Sequence, residues 1–309
     1  MHRSDHRVFA RNSFAKGMQT MMNYDQQIDK IIRLALLEDI QTGDITTNAI
    51  YTGKEMASAK FIAKQDGIVA GIGIAIRVAR MVDEKLVISW GETVTHPDGT
   101  RFSKGEVIAQ IHGPANSLLT AERTMLNFVQ RMSGIATRVR EFTNKISHTK
   151  AVILDTRKTL PGHRITDKMA VVIGGGQNHR FGLYDRYLIK ENHIAVAGGI
   201  ANAIIACQKH RDQNSPSKEI EIEVTNLDQL QEVLQFSDVT YVMLDNMNIE
   251  TMRQAVQRNN KQAAPKKLEA SGNVGLHNVA SIAETGVDFI SIGSITHSVN
   301  ALDISLLFD

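Results

Sequence analysis

Residues 220–245 read IEIEVTNLDQLQEVLQFSDVTYVMLD. Ile220–Val224 is a short apolar run that carries Glu221 and Glu223. Asn226–Gln235 has helical length and pattern, and Tyr241–Leu244 is a second apolar run that stops on Asp245. A strand, a helix and a strand in this order imply two parallel strands joined by a crossover. The alternation extends both ways. Upstream, Ala151–Leu154 runs into Asp155, Arg157 and Lys158, and Tyr187–Ile189 runs into Lys190. Downstream, Leu268–Ala270 opens into Ser271-Gly272-Asn273, and Phe289–Ile292 into Gly293-Ser294. Ala201–Arg211, Ile249–Arg258 and Leu276–Glu284 supply further helical stretches between them. In a parallel α/β barrel the chemistry sits on the loops after the carboxyl ends of the strands. Six separated segments should therefore meet at one polar mouth.

The first half differs in character. Asp25–Glu38 predicts an amphipathic helix with Ile28, Ile31, Ile32, Ala35 and Leu36 on one face. Lys60–Ala63, Ile68–Ala70, Leu86–Trp90 and Val107–Ile111 predict strands, with a helix over Ala75–Val82. Ser117–Ile146 predicts a helix broken near Ser133-Gly134, with Met125, Val129, Met132, Ala136 and Val139 as its packing face. A domain boundary is expected near this segment, with the barrel following from about residue 150.

Composition excludes several classes. The 309 residues carry a formal net charge of +2, and the small excess is concentrated in residues 1–22, where Arg3, Arg7, Arg11 and Lys16 face only Asp5. No basic stripe marks the remainder as a nucleic-acid binder, so a bound anion should be small and locally held. No apolar stretch approaches the ~20 residues of a membrane span. Residues 1–22 lack the apolar region of a secretory signal and are expected to be a disordered extension. Cys207, the single cysteine, falls on a predicted barrel helix and is expected to be a small buried apolar residue. A cytoplasmic location is expected.

Five groups of residues carry the chemistry. Asp155-Thr156-Arg157-Lys158-Thr159 puts two cations and two hydroxyls just past a strand. Arg offers a planar fork to carboxylates and phosphates, and Lys a point charge. Gly174-Gly175-Gly176-Gln177-Asn178-His179-Arg180 lacks the spacing and strand context of a dinucleotide loop. Its glycines allow a tight turn that delivers His179 and Arg180 to the mouth. Lys190 ends an otherwise apolar strand, which suits either an anion partner or a Schiff-base lysine. Glu223 and Asp245 end adjacent strands, and two carboxylates on one cavity suit Mg²⁺ or a developing positive charge. Glu221 and Glu223 alternate with Ile222 and Val224, and at least one of them should point inward. Ser271-Gly272-Asn273 and Gly293-Ser294 lie where phosphate loops sit in such barrels.

These segments, with Glu38-Asp39, Gly43-Asp44-Ile45-Thr46, Ala121-Glu122-Arg123, Leu126-Asn127-Phe128, Ser133-Gly134-Ile135-Ala136-Thr137 and Thr296-His297-Ser298, give the chain its resemblance to a known family. From about Leu34 to Leu307 it resembles the quinolinate phosphoribosyltransferases. The resemblance implies an α/β fold of type II phosphoribosyltransferase architecture, with an N-terminal α/β sandwich over residues 23–149. An incomplete (β/α) barrel over residues 150–309 follows, its C-terminal end packing back on the first part. It implies transfer of a phosphoribosyl group from phosphoribosyl pyrophosphate to quinolinate with decarboxylation, assisted by Mg²⁺.

Carried over residue by residue, the resemblance places Arg157, His179, Arg180 and Lys190 on the two quinolinate carboxylates. Arg123 should join them across a homodimer interface. Thr156 and Lys158 belong to the substrate loop, with Lys158 on the dicarboxylate or the pyrophosphate. Glu223 and Asp245 correspond to the acids near the ribose and Mg²⁺. Ser271, Gly272, Asn273, Ile292, Gly293 and Ser294 match the 5′-phosphate loops. Family members often carry a second glycine where Asn273 stands, which leaves the backbone there open. The other readings are a same-fold phosphoribosyltransferase acting on another base, an aldolase using Lys190, and a barrel that binds a metabolite without turnover.

Overall fold

The computed structural model describes residues 24–91 and 96–309. The expected extension over residues 1–22 lies outside the described residues. In chain order the elements begin with α1 (Tyr24–Ile40), α2 (Ile45–Ile50), β1 (Met56–Ala63), β2 (Gly67–Ile68) and α3 (Ile72–Val82). β3 (Val87–Ser89), β4 (Arg101–Phe102), β5 (Val107–Pro114) and α4 (Ala115–Lys145) complete the first half. The second half holds β6 (Val152–Leu154), α5 (Arg164–Ile173), β7 (Tyr187–Ile189), α6 (Glu191–Ala197) and α7 (Ile200–Asn214). It continues with β8 (Ile220–Val224), α8 (Leu227–Val233), β9 (Val239–Asp245), α9 (Ile249–Asn260) and β10 (Lys267–Ser271). α10 (Val279–Ala283), β11 (Phe289–Ser291), α11 (Ser294–His297) and β12 (Ile304–Phe308) end it.

The first sheet is antiparallel, in the order β12-β1-β5-β3. Its outermost strand, β12, is the C-terminal end of the chain laid back on β1. Alternate residues Ala59, Phe61 and Ala63 of β1 are buried, as one covered face requires. α1 buries Ile28 and Ile32 and is fastened to α3 by Arg77, which donates to Asp25 and Asp29 at 2.7 Å each.

α4 joins the two halves, and it does not break at Ser133-Gly134. Both residues answer to tertiary contacts. The Ser133 hydroxyl accepts from the Ala70 N–H at 2.9 Å and donates to the Ala70 carbonyl at 3.1 Å. At Gly134 a Cβ would lie 2.2 Å from the Asn300 carbonyl oxygen, so the chain passing beside α4 demands glycine. The sequence signal for a break was a signal for close approach.

The second sheet has six parallel strands in the order β6-β11-β10-β9-β8-β7. Beyond β6, Gln177 makes an isolated parallel bridge to Leu154. The segment that follows it, Asn178-His179-Arg180, lies at the seam between the sheet's two ends. On β8, Ile220, Ile222 and Val224 are fully buried on the face opposite Glu221 and Glu223. Cys207 on α7 is half-buried rather than buried, because that helix covers the sheet with Ile200, Ala203 and Ile204. Among the described residues, no helix is long and apolar enough to cross a membrane.

Gly134→Ala should lower stability by about 1–3 kcal/mol through overpacking against Asn300, although alanine is the better helix former. Thermal unfolding checks it, and an unchanged midpoint would show that residues 300–301 yield freely.

Candidate active site

A cleft of about 820 Å³ opens at the carboxyl ends of the parallel strands. The strand order fixes what neighbours what around its rim. Lys190 follows β7, Glu223 lies near the end of β8, and Asp245 ends β9. Ser271-Gly272-Asn273 comes next, after β10, followed by Ile292-Gly293-Ser294 after β11. Thr156-Arg157-Lys158 after β6 and His179-Arg180 at the seam complete the ring. The rim therefore runs from cations at the seam, through two carboxylates, to small polar loops and back to cations. Of the residues expected at the mouth, Asp155, Thr159 and Arg123 do not line this cleft: Asp155 is fully buried beneath it and Arg123 is exposed on α4, while the rest come together there.

The rim is braced by contacts between loops. The Ile292 N–H donates to the Leu154 carbonyl at 3.0 Å, and the Thr296 hydroxyl to the Lys158 carbonyl at 2.9 Å. Arg164 donates to Thr159 Oγ1 at 3.2 Å and to the Phe181 carbonyl at 3.1 Å, tying the first cationic loop to the seam. The Nε of Arg157 is buried without a hydrogen-bond partner among the described residues. The Lys190 ammonium is ion-paired with Glu223. His193 serves the backbone, its Nδ1 accepting from the Lys190 N–H at 2.9 Å as α6 begins. Asp245 accepts from the Asn246 amide at 2.8 Å.

Asn273 adopts φ +50° immediately after Gly272 at φ +98°. Asparagine tolerates this left-handed region better than most residues, so the loop keeps a glycine-like turn. Its side-chain amide donates to Asn246 Oδ1 at 3.2 Å. The departure from the family pattern thus leaves the backbone turn in place.

A second layer lies beneath the rim. In a strand, residues two apart share a face. Leu188 lies below Lys190, Glu221 below Glu223, Met243 below Asp245, Glu269 below Ser271 and Ser291 below Gly293. Leu188, Met243, Glu269 and Ser291 line the cleft floor and were missed in the sequence reading, although the two-residue period was there to find them. Both Glu221 and Glu223 point inward, as their alternation with Ile222 and Val224 allowed.

Glu221 and Glu269 belong to strands separated by β9, so they can meet only inside the curved sheet. Both face His179: its Nε2 lies 3.1 Å from Glu221 Oε2 and 3.5 Å from Glu269 Oε2. Arg186 reaches Glu221 from below at 3.2 Å. His179, Glu221 and Glu269 are close enough to hold a metal ion, but the imidazole is set up as a donor. Its Nδ1 accepts from the Arg180 N–H at 2.7 Å, which puts the ring proton on Nε2, facing the carboxylates. Burial, reinforced by the charge of Glu221, pushes the Glu269 carboxyl up to about 8. Among the described residues neither of its oxygens has a partner at full hydrogen-bond geometry, although Ser291 stands close enough to favour the charged form slightly. Burial acts against the imidazolium of His179, but the Glu221 hydrogen bond and the two carboxylates outweigh it and raise the pKa.

Comparison with known proteins bears on what this cleft does. The family model of the quinolinate phosphoribosyl transferase N-terminal domain matches residues 44–133, and that of the C-terminal domain matches residues 135–307. The chain is 42% identical to the chloroplastic nicotinate-nucleotide pyrophosphorylase (carboxylating) of Arabidopsis thaliana, over 95% of this chain and 86% of that one. It is 42% identical to the probable nicotinate-nucleotide pyrophosphorylase (carboxylating) of Bacillus subtilis, over 91% and 93% respectively. Among solved structures, the nicotinate-nucleotide pyrophosphorylase from Francisella tularensis superposes with a TM-score of 0.83 at 38% identity. That match covers 94% of this chain and 98% of the other.

Glu269 also makes a measurable prediction. Folded, it keeps its proton up to about pH 8, whereas its ordinary value is 4.5. Between those values the folded state holds more protons than the unfolded state, so its contribution to stability declines as pH rises. Glu269→Gln should flatten that decline by about 1 kcal/mol per pH unit, read from urea midpoints at pH 5 to 8. Parallel curves for the two proteins would refute the assignment.

Proposed function

The chain belongs to the quinolinate phosphoribosyltransferase family, and on that premise we propose how its barrel mouth carries out the reaction. The enzyme joins quinolinate to phosphoribosyl pyrophosphate and releases nicotinate mononucleotide, pyrophosphate and CO₂ in NAD biosynthesis. The observation that carries the reading of the site is the order of charges around the rim. A cationic seam lies beside two carboxylates, and small polar loops lie beyond them. One substrate is a dicarboxylate and the other bears phosphates on a sugar, and this order suits both at once.

Arg157, Arg180 and Lys190 hold the two quinolinate carboxylates, and His179 lines the same pocket with its Nε2 proton turned to the interior acids. The unpartnered Nε of Arg157 is a donor free for such an acceptor. Lys158 lies at the junction of the two subsites, since a Cβ on Gly293 would come within 3.0 Å of its Cδ. It contacts the dicarboxylate or the pyrophosphate, with Thr156 in the same loop. Ser271, Gly272 and Asn273, with Ile292, Gly293 and Ser294, receive the 5′-phosphate through hydroxyls and backbone N–H groups. Arg123, exposed on α4, reaches the quinolinate of a neighbouring subunit in a homodimer.

Departure of pyrophosphate builds positive charge at the ribose C1. Glu223 and Asp245 stand where fixed negative charge lowers the cost of that state. The quinolinate ring nitrogen attacks the same carbon, and holding both substrates in line supplies part of the rate. Once ribosylated, the nitrogen is cationic. Loss of the adjacent carboxylate as CO₂ leaves an electron pair on the ring carbon that this nitrogen stabilises until a proton arrives. The seam must therefore orient that carboxylate without fully neutralising it.

Glu223 and Asp245 also fit Mg²⁺, since both offer carboxylate oxygens to an open cleft with room for water and phosphate ligands. Bound there, the ion would supply charge neutralisation to the pyrophosphate. A cytoplasmic site of action is in keeping with Cys207 being the single cysteine, which leaves no intrachain disulfide.

Incubation with quinolinate and phosphoribosyl pyrophosphate should yield nicotinate mononucleotide and CO₂; turnover of nicotinate in place of quinolinate would show that the base is misassigned. Glu223→Ala and Asp245→Ala should each lower kcat by about 10²–10³ while leaving quinolinate affinity largely intact, as expected when transition-state charge loses its partner. Unchanged kcat would favour a binding role for the barrel. Mixing Arg123→Ala with Arg157→Ala chains should restore partial activity in mixed dimers, and no rescue in verified heterodimers would place Arg123 outside the site.

A further inference from the structure

One ion pair holds the peptide of His179 at both of its polar ends. The His179 N–H donates to Asp155 Oδ1 at 2.9 Å, and the His179 carbonyl accepts from the Lys168 ammonium at 2.9 Å. Asp155 and Lys168 are themselves paired. Both are buried to within 1% of complete exclusion from solvent, and neither lines the cleft. With its amide nitrogen turned inward, Asn178 donates to Asp155 Oδ2 at 2.7 Å and to the Lys168 carbonyl at 3.1 Å. The grip thus spans two successive residues of the seam.

The grip comes where the chain most needs one. Gly174, Gly175 and Gly176 precede it, and Gly175 turns at φ +98°, open to few residues but glycine. Packing is tight around Gly174, where a Cβ would lie 2.6 Å from the Ala136 carbonyl oxygen, so side chains there cannot stiffen the turn. Just after the grip, the Arg180 N–H donates to His179 Nδ1, and the Arg180 guanidinium donates to the Arg186 carbonyl at 3.1 Å. A buried ion pair is a poor device for stability alone, because apolar residues of the same volume serve as well or better. It differs from an apolar pair in being able to accept from an N–H and donate to a C=O at once.

We propose that Asp155 and Lys168 are positioning residues for quinolinate, the pair fixing the backbone at His179 so that the adjoining Arg180 meets the dicarboxylate in register with Arg157 and Lys190. This rests on the assignment of the seam to quinolinate made above. Lys168 reaches the seam from α5 and does not line the cleft. Its effect is on where the seam's cation is presented.

Titration calorimetry on the full chain tests it, with quinolinate and phosphoribosyl pyrophosphate measured separately. Lys168→Met and Asp155→Asn should each weaken quinolinate by about 10- to 100-fold, the scale of a misplaced binding group, and shift phosphoribosyl pyrophosphate by no more than about twofold. Steady-state kinetics should show the same selectivity in KM. Where Lys168→Met does not fold, Lys168→Gln and Asp155→Asn carry the comparison. Folded variants that bind quinolinate as the wild type does, or that lose both ligands equally, would overturn the proposal. A wild-type protein that does not bind quinolinate would instead overturn the assignment of the seam, and the proposal with it.

Discussion

A strand in a parallel barrel can present a side chain to the inside only at every second residue. The whole site follows from that constraint. Because β7, β8, β9, β10 and β11 share it, the residue at each carboxyl end is seconded by one a layer deeper. The upper layer carries Lys190, Glu223, Asp245 and Ser271, and the lower layer carries Leu188, Glu221, Met243 and Glu269. The intervening residues, such as Ile222 and Val224, face the helices and make the apolar core. A one-residue slip of any strand would exchange its chemistry for its packing.

Filling the inside of a barrel with charged groups has a cost that must be met locally. Here the lower layer meets it by mutual pairing. His179 faces Glu221 and Glu269, Arg186 faces Glu221, and the Arg186 guanidinium lies 4.0 Å from the centre of the Tyr241 ring. Burial first, and the charge of Glu221 second, raise the Glu269 carboxyl, so the two carboxylates near one imidazole are not both anionic. The upper layer is left freer, with Lys158 and Lys190 exposed and Arg157 half-buried. Charge is thus paired deep inside the protein at the lower layer, whereas at the upper layer even the paired Lys190 and Glu223 stand at the open cleft.

The upper layer was legible in the sequence because its residues terminate apolar runs, and the end of a strand is a local event. Arg157, Lys158, Lys190, Asp245, Ser271 and Gly293 were found in this way, whereas His179 and Arg180 were read from the glycine run before them. The lower layer was harder to see. Leu188 and Met243 look like any apolar strand residues, and only the pairing of strands in space tells which face is the inside. The break expected in α4 failed for a related reason. Ser133 and Gly134 do disfavour a helix locally, but their contacts to Ala70 and Asn300 come from segments far along the chain. Lys168 is the extreme case: a lysine in a helix reads as a solvent-facing residue, and its burial depends on Asp155 and on the carbonyl of His179.

That last pairing bears on why the barrel is incomplete. Between β6 and β7 the ring is not closed by a regular strand. It is closed by one bridge at Gln177 and then by side-chain contacts to the backbone of His179, with the Asn178 side chain joined to the same ion pair. A strand in that place would satisfy its own N–H and C=O groups through a ladder and would hold its side chains at fixed alternation. The segment present instead has the N–H and C=O of His179 satisfied by Asp155 and Lys168, which frees consecutive residues to act together. His179 turns to the interior carboxylates, while Arg180 runs along the seam to the Arg186 carbonyl and still lines the cleft. Two neighbouring side chains serving one pocket is an arrangement that strand alternation forbids. The gap in the sheet is thus what allows the cationic seam to exist.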